Sequence, residues 1–271
     1  MLKLNSIKKG YGGTQVSVED MSFLSNTKKI IRTTGIQQIN VLRRDELLSA
    51  FIELVDNNQH LFKDIKLFIV VNQTKPFELP QVSNFLLENI GCQENIECID
   101  LSLGCTGYVY ATTLADRLLN VHEECIILTG DAISSEINTI DTVNKPLFGD
   151  APFLSLFTKV DNNTNYTNFN LFEGAQDLYL NNRNSEHLPT NGFYMNGISI
   201  FNFGLHRVTN IIEKFSIKYN LKNHYIILHQ ANRFMLKSMM TKLKEFQFKD
   251  VYNDGTLGNT GPSTIPDTIL Y

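Results

Sequence analysis

Short continuous apolar runs alternate with amphipathic ones along most of this chain. Asp45–Asn58 ("DELLSAFIELVDNN") places apolar residues at helical spacing. Ile65–Thr74 ("IKLFIVVNQT") is an unbroken apolar, β-branched run that ends in polar residues, the pattern of a buried strand. Leu79–Gly91 predicts a helix, with Pro80 in its first turn and Gly91 as its stop. Ile96–Leu101 predicts a strand, the residues after Cys105 a helix, and Glu123–Asp131 a further apolar strand. A turn and a strand follow over Phe148–Val160. The Asn-rich stretch Asp161–Asn170 reads as a surface loop, and Phe169–Ala175 as a possible strand after it. The pattern then restarts with a long helix over Gly197–Tyr219, a strand over His224–Gln230 and a helix over Ala231–Leu243. A Gly- and Asn-rich loop, "VYNDGTLGNTGPS", comes last.

This alternation predicts α/β layers with mostly parallel strand pairing. In such folds chemistry gathers in the loops at the carboxyl ends of strands. Three polar residues fall at such places: Cys105, His229 and Asn259. The 271 residues suit one large domain or two smaller ones sharing a core. A net charge of −4 carries no electrostatic footprint for nucleic acid. Nor does any apolar run reach the length of a membrane span. "MLKLNSIKKGYGG" lacks the apolar stretch of a signal peptide, so a cytoplasmic protein is expected. Cys92, Cys98, Cys105 and Cys125 show no CxxC spacing, which argues against a structural zinc site. Cys98 and Cys125 fall in strand-like runs and are expected to be buried as small hydrophobes.

The chemistry expected of the three polar residues differs. Cys105 stands at a strand-to-helix turn, where helix N–H groups and the positive dipole end would face the sulfur. In a partly buried site that is worth up to about 2 kcal/mol, enough to lower a thiol pKa from about 8.5 to about 7. Gly104 and Gly107 would permit a tight turn and close approach of a substrate. His229, as a neutral imidazole, can donate one hydrogen bond and accept another. Asn259 offers an amide donor that stays uncharged at every pH. Taken singly, a cysteine, a strand-end histidine and a turn asparagine are each more often structural than catalytic.

Together, "GCTGYVYA", "HQAN" and "GNTGPSTIP" resemble, in order and at similar spacing, the three catalytic motifs of the β-ketoacyl-acyl-carrier-protein synthase III family. "RTTGI" at Arg32–Ile36, the Pro80 turn, "FGD" at Phe148–Asp150 and "MNG" at Met195–Gly197 extend the likeness over nearly the whole chain. The resemblance implies a thiolase-like fold: two related βαβαβ halves in a layered α-β-α-β-α arrangement. The halves would be residues 1–160, with the nucleophile, and residues 161–271, with His229 and Asn259. It implies that Cys105 takes an acyl group from acyl-CoA or an acyl carrier protein. Malonyl-acyl carrier protein then undergoes decarboxylative Claisen condensation, with His229 and Asn259 donating to the enolate oxygen. No permanently bound cofactor is implied; acyl-CoA and malonyl-acyl carrier protein are substrates, and a homodimer is expected. By the same likeness Leu79 reaches a partner's acyl tunnel, while Phe148, Gly197, Phe201 and Asn232 line the pantetheine channel. Asp150 is expected to be structural in its turn, and Arg233, Lys237, Lys242 and Lys244 to form a basic face for an acidic carrier.

Three departures from the family pattern bear on these expectations. The chain has no Trp, and Lys29 and Thr142 fall near the places of the Trp and Arg that clamp the CoA adenine in the family. "FGDAPFLSL" replaces a small-residue "FGDGAGA" pattern. Family members also continue for several tens of residues past Tyr271, so the second half is expected to lack its last strands. Competing readings are a non-decarboxylating acyltransferase on the same fold and an inactive truncated subunit of a heterodimer. A thiolase would need a second cysteine after Cys125, and a hydroxymethylglutaryl-CoA synthase an acidic base near Cys105; neither motif stands out.

Overall fold

The computed structural model describes residues 1–92, 95–167, 174–181, 186–188, 192–252 and 256–271. Its centre is a five-stranded mixed sheet. The elements of this part are β1 (Leu2–Lys9), β2 (Thr14–Ser17), α1 (Thr27–Thr34), β3 (Gln38–Val41), α2 (Arg44–Asp56), β4 (Ile65–Val71), α3 (Val82–Asn89), β5 (Glu97–Leu101), α4 (Gly107–Leu118), β6 (Glu124–Thr129), α5 (Ile133–Glu136) and β7 (Phe153–Lys159). The sheet order is β1-β7-β6-β4-β5. β4 pairs in parallel with β5 and β6, whereas β7 pairs antiparallel with β6 and β1.

From Leu67 to Val71, β4 is unbroken apolar sequence, and its two faces show why; Lys66 before this run is exposed. Phe68 and Val70 pack against Leu47, Phe51, Leu54 and Val55 of α2 and Val82 and Leu86 of α3. Leu67, Ile69 and Val71 pack on the other side against Tyr108, Ala111 and Ala115 of α4. β6 divides likewise, with Ile126 and Leu128 on the first face and Cys125 and Ile127 on the second. A strand covered on both sides has no position left for a polar residue, so alternation disappears from its sequence. Buried polar groups in these layers are paired: the Tyr108 hydroxyl meets Ser155 Oγ at 3.1 Å.

Helix α3 starts at Val82 rather than in the Leu79–Pro80 turn. Pro80 precedes it with a cis Leu79–Pro80 bond, and Gln81 is its extended N-cap residue. Cys125 is fully buried, as expected of a strand thiol, but Cys98 is only half-buried.

The second half holds β8 (Leu178–Asn181), β9 (Gly192–Met195), α6 (Gly197–Asn202), α7 (Thr209–Tyr219), β10 (Tyr225–Ile226), α8 (Arg233–Lys242), β11 (Lys249–Asp250) and α9 (Thr264–Leu270). The predicted helix over Gly197–Tyr219 is helical throughout but is interrupted by a π-helical turn, Phe203–Val208. The predicted strand over His224–Gln230 shrinks to Tyr225–Ile226, paired in parallel with Lys249–Asp250. His229 therefore stands in irregular chain three residues beyond the ladder. The loop at 161–167 is irregular as expected. The possible strand over 169–175 lies almost wholly outside the described residues. Among the described residues, no helix is long and apolar enough to cross a membrane.

Candidate functional site

Cys105 lies in a single 3-10 turn, Gly104–Thr106, that joins β5 to α4. Gly104 makes the turn with φ 50°. Gly107 has a different use from the one expected of it. A Cβ there would come within 2.3 Å of Val71 Cγ1, so the glycine lets the first turn of α4 lie against β4 rather than admitting substrate. α4 and its thiol are thereby seated directly on the buried sheet.

The turn of Cys105 packs against another short turn, Gly261–Ser263, which leads into α9. This second turn gathers the remaining candidates. Asn259 is buried, and its Oδ1 accepts the Gly261 N–H at 3.1 Å. That bond fixes which way the amide points and leaves Nδ2 as the end available to a substrate oxygen. On the far side of the same turn, His229 Nδ1 meets the Thr264 hydroxyl at 2.7 Å, leaving Nε2 as the available ring nitrogen. Thr129, at the end of β6, ties the turn down through a 2.8 Å contact between its hydroxyl and that of Ser263. Nucleophile, imidazole and amide thus all rest on the residues from 259 to 264, although they come from three distant parts of the chain.

Electrostatics overturn one expectation. Burial pushes the Cys105 thiol up to about 12, and the nearby Asp131 carboxylate adds to the rise. Desolvation of the charged form, at a sulfur close to the sheet, thus works against the helix end. His229 is pushed down to about 4 by the same burial, so its imidazole stays neutral at physiological pH. Both residues still keep an edge open to solvent. Asp131 is itself pushed up to about 6 by burial, against four hydrogen bonds to Oδ1 from Asn72 Nδ2, the Gln73 and Thr74 N–H groups and the Thr74 hydroxyl. Sequence reasoning passed over both Asp131 and Thr264. Asp131 had one legible signal, a carboxylate closing an apolar strand. Thr264 had none beyond lying inside a motif.

Under the site, Asp150 is structural as expected. It is buried, its Oδ2 accepts the Leu42 N–H at 2.9 Å and the Ser134 hydroxyl, and its Oδ1 accepts the Ser134 N–H at 3.1 Å. Burial pushes it up to about 7. Its neighbour Phe148 forms an isolated parallel bridge with Asn259, which sets the Asn259 loop on the nucleophile's half.

The other predicted residues divide. Asn232 caps α8, accepting the Met235 N–H at 2.9 Å, and lines a cavity of about 270 Å³ with Gly35, Ile36, Gln230, Arg233 and Gly258. That cavity adjoins the site, since Gln230 follows His229 and Gly258 precedes Asn259. Phe201 stacks on Phe234 with centroids 5.3 Å apart, and Gly197 opens α6 at the surface. Phe148 does not line an open channel. It is 5% exposed and packs edge-on against Phe193 at 5.0 Å, among Ile133 and Ile137. Leu79 is 84% exposed and takes no part in its own chain's site. Of the four basic residues Arg233, Lys237, Lys242 and Lys244, all exposed, Arg233 and Lys237 line the cavity and Lys242 Nζ donates to the Leu205 carbonyl at 3.0 Å. Lys29 and Thr142 are exposed.

No family model matches the chain. Curated proteins named β-ketoacyl-[acyl-carrier-protein] synthase III are similar to it along nearly its whole length. The one from Rubrobacter xylanophilus is 23% identical over 276 residues, covering 97% of this chain and 87% of its own. That from Streptococcus agalactiae is 26% identical over 266 residues, covering 92% and 82%. Among solved structures, a 3-oxoacyl-(acyl-carrier protein) synthase from Burkholderia xenovorans matches with a TM-score of 0.79 at 20% identity, covering 99% of this chain and 84% of its own. The synthase III of Aquifex aeolicus matches with a TM-score of 0.79 at 16% identity, covering 100% and 90%. The resemblance first seen in three short motifs holds across the chain, and the fold is the thiolase-like α/β fold of these synthases.

Proposed function

We propose that this chain, a relative of the synthase III enzymes, is a condensing acyltransferase that works through Cys105, His229 and Asn259. One observation carries the reading: the Asn259 amide and the His229 ring are both held on the 259–264 turn, and that turn packs against the turn of Cys105. In the first step the Cys105 sulfur attacks an acyl thioester. The C–S bond of the donor breaks, an acyl-cysteine forms, and the thiol proton leaves on the departing carrier sulfur. A thiol held near 12 suits this route, because the proton departs as the new bond forms rather than beforehand.

In the second step malonyl-acyl carrier protein loses CO₂, and the electron pair of that bond becomes an enolate. The Asn259 amide and the His229 imidazole donate to the thioester oxygen where the charge develops. Both are uncharged at working pH, so neither forms an ion pair with the malonyl carboxylate and hinders its loss. The enolate carbon then attacks the acyl-cysteine. A carbon–carbon bond forms, the C–S bond to Cys105 breaks, and the sulfur takes a proton from solvent, giving the 3-oxoacyl product. The retained and oriented Asn259 favours condensation over simple acyl transfer, which creates no enolate.

The acyl carrier protein named in the relatives would be the partner of this step, and acyl-CoA or an acyl carrier the donor of the first. Leu79, with its side chain almost fully exposed, is read as reaching into a second copy's site in a homodimer. A cytoplasmic location fits these soluble donors.

Intact-protein mass spectrometry after incubation with short and medium acyl-CoAs and acyl carrier proteins tests the proposal. One acyl group is expected on the wild type and none on Cys105→Ala. Adding malonyl carrier should then release CO₂ and 3-oxoacyl product, and Asn259→Ala should keep the acyl adduct while losing release by about 10²–10³-fold. A folded protein that accepts no donor would overturn the reading.

A further inference from the structure

We infer that Arg233, laid against Gly35 and joined by Lys237, is the residue that selects thioesters whose arm ends in a phosphate. This rests on the condensing reading, in which both substrates are thioesters of CoA or of a carrier protein. Either source brings the same chemistry, a pantetheine arm ended by a phosphate.

The observation behind it is charge set where folding alone disfavours it. Arg233 is the first residue of α8, and Lys237 follows one turn later on the same face. A cation at a helix N-terminus faces the positive end of the dipole, and like charges four residues apart repel. The first turn of α8 holds no acid to offset either effect. Among the described residues neither cation is ion-paired. The Asp250 carboxyl on this side is engaged by the Tyr252 hydroxyl instead. Yet both cations line the cavity of about 270 Å³ beside the site, and none of its lining residues is a carboxylate. Positive charge gathered at a helix N-terminus, with no acid among the walls, suits an anion.

Gly35 gives Arg233 its place. It caps α1 with φ 78°, and a Cβ there would lie 2.9 Å from Arg233 Nε, 3.1 Å from its Cβ and 3.2 Å from its Cζ. The arginine therefore rests along the glycine, at the carboxyl end of α1, where a cation is favoured. A planar fork placed this way can hold two phosphate oxygens, and Lys237 adds a point charge. The phosphate would sit in the cavity while the thioester end of the arm meets His229 and Asn259.

Calorimetric titration with 4′-phosphopantetheine and with pantetheine, which differ only in the phosphate, tests this without any reaction. The wild type should bind the phosphorylated arm about 10- to 100-fold more tightly. Arg233→Gln should cut that advantage to about threefold or less, and Arg233→Lys, which keeps the charge and loses the fork, should fall between. Lys214→Gln removes a charge from α7 outside the cavity and should leave the advantage intact. Equal binding of the two arms by the wild type, or a full advantage in Arg233→Gln, would overturn the inference. Acylation from acyl-CoA and condensation with malonyl carrier, each measured in Arg233→Gln, then separate the two sources of the phosphate. Slowing of either supports the seat and names its substrate. A protein that prefers the phosphorylated arm but accepts no acyl group would lose the condensing reading alone. One that condenses without the preference would lose this inference alone.

Discussion

Replacing Gly149 by alanine should detach the Asn259 donor from its seat. A Cβ at this residue would lie 1.8 Å from the Leu257 carbonyl oxygen, 3.0 Å from the Leu257 carbonyl carbon and 3.2 Å from the Asn40 nitrogen. All three neighbours are backbone atoms, so no side-chain rotation relieves the overlap. Leu257 must retreat by more than an ångström, and the chain two residues later is Asn259. The hydrogen bonds at risk are Asn259 N–H to the Leu147 carbonyl at 2.7 Å and Gly149 N–H to the Asn259 carbonyl at 3.1 Å. Each is worth about 0.5–1.5 kcal/mol net. Overpacking adds about 1–3 kcal/mol, so the expected loss is about 2–6 kcal/mol. Urea unfolding measures it, read from the midpoint at constant slope. Gly197→Ala is the control: its Cβ would meet nothing, and in a helix it should be neutral or stabilising by up to about 1 kcal/mol. In whatever Gly149→Ala protein folds, acylation should survive while decarboxylation falls by about 10²-fold. A variant within about 0.5 kcal/mol of wild type that condenses at full rate would refute the steric reasoning.

Two further expectations follow from burial. The Cys105 alkylation rate with iodoacetamide should rise about tenfold per pH unit through pH 8–11 without a plateau, because the thiol ionises near 12; a plateau near pH 7 would show a thiolate made by the helix end. His229 ionises near 4 when folded and near 6.5 when unfolded, so between those values the unfolded chain binds the extra proton. The stability owed to this residue is therefore complete above pH 6.5 and declines as the pH falls to 4, by up to about 3 kcal/mol. Comparing the pH dependence of unfolding in wild type and His229→Gln isolates this loss from the opposite drift of Asp131 and Asp150, and equal slopes would exclude it.

The central layers were legible because burial on two faces leaves a mark on sequence. β4 and β6 carry no polar alternation, and α2 shows its apolar stripe. The second half was harder. The apolar run at Tyr225–Leu228 is only half-buried and half of it pairs, so an apolar pattern there overstated the strand. The π turn at 203–208 left no sequence sign, since Phe203–Val208 continues the helical spacing. At the site, the three catalytic candidates were found by motif, and the structure supplied what motif cannot: the depth of the sulfur, the second carboxylate and the partner of the imidazole. Depth reversed the sign of the thiol's expected shift. It depends on Gly107 lying flat on Val71, a contact between residues 36 positions apart.

A nucleophile that rests as a protonated thiol is also a guarded one. Burial pushes its ionisation well above the ordinary thiol range, so the resting site holds the protonated form at pH 7. Peroxide and small electrophiles consume thiolates, so the oxidation ladder from sulfenic to sulfonic acid is barely entered while the site is empty. The protection needs no lid and no resolving cysteine. It comes from the same packing of α4 on β4 that seats the sulfur, and it lapses only when a thioester arrives with a leaving group able to carry the proton away.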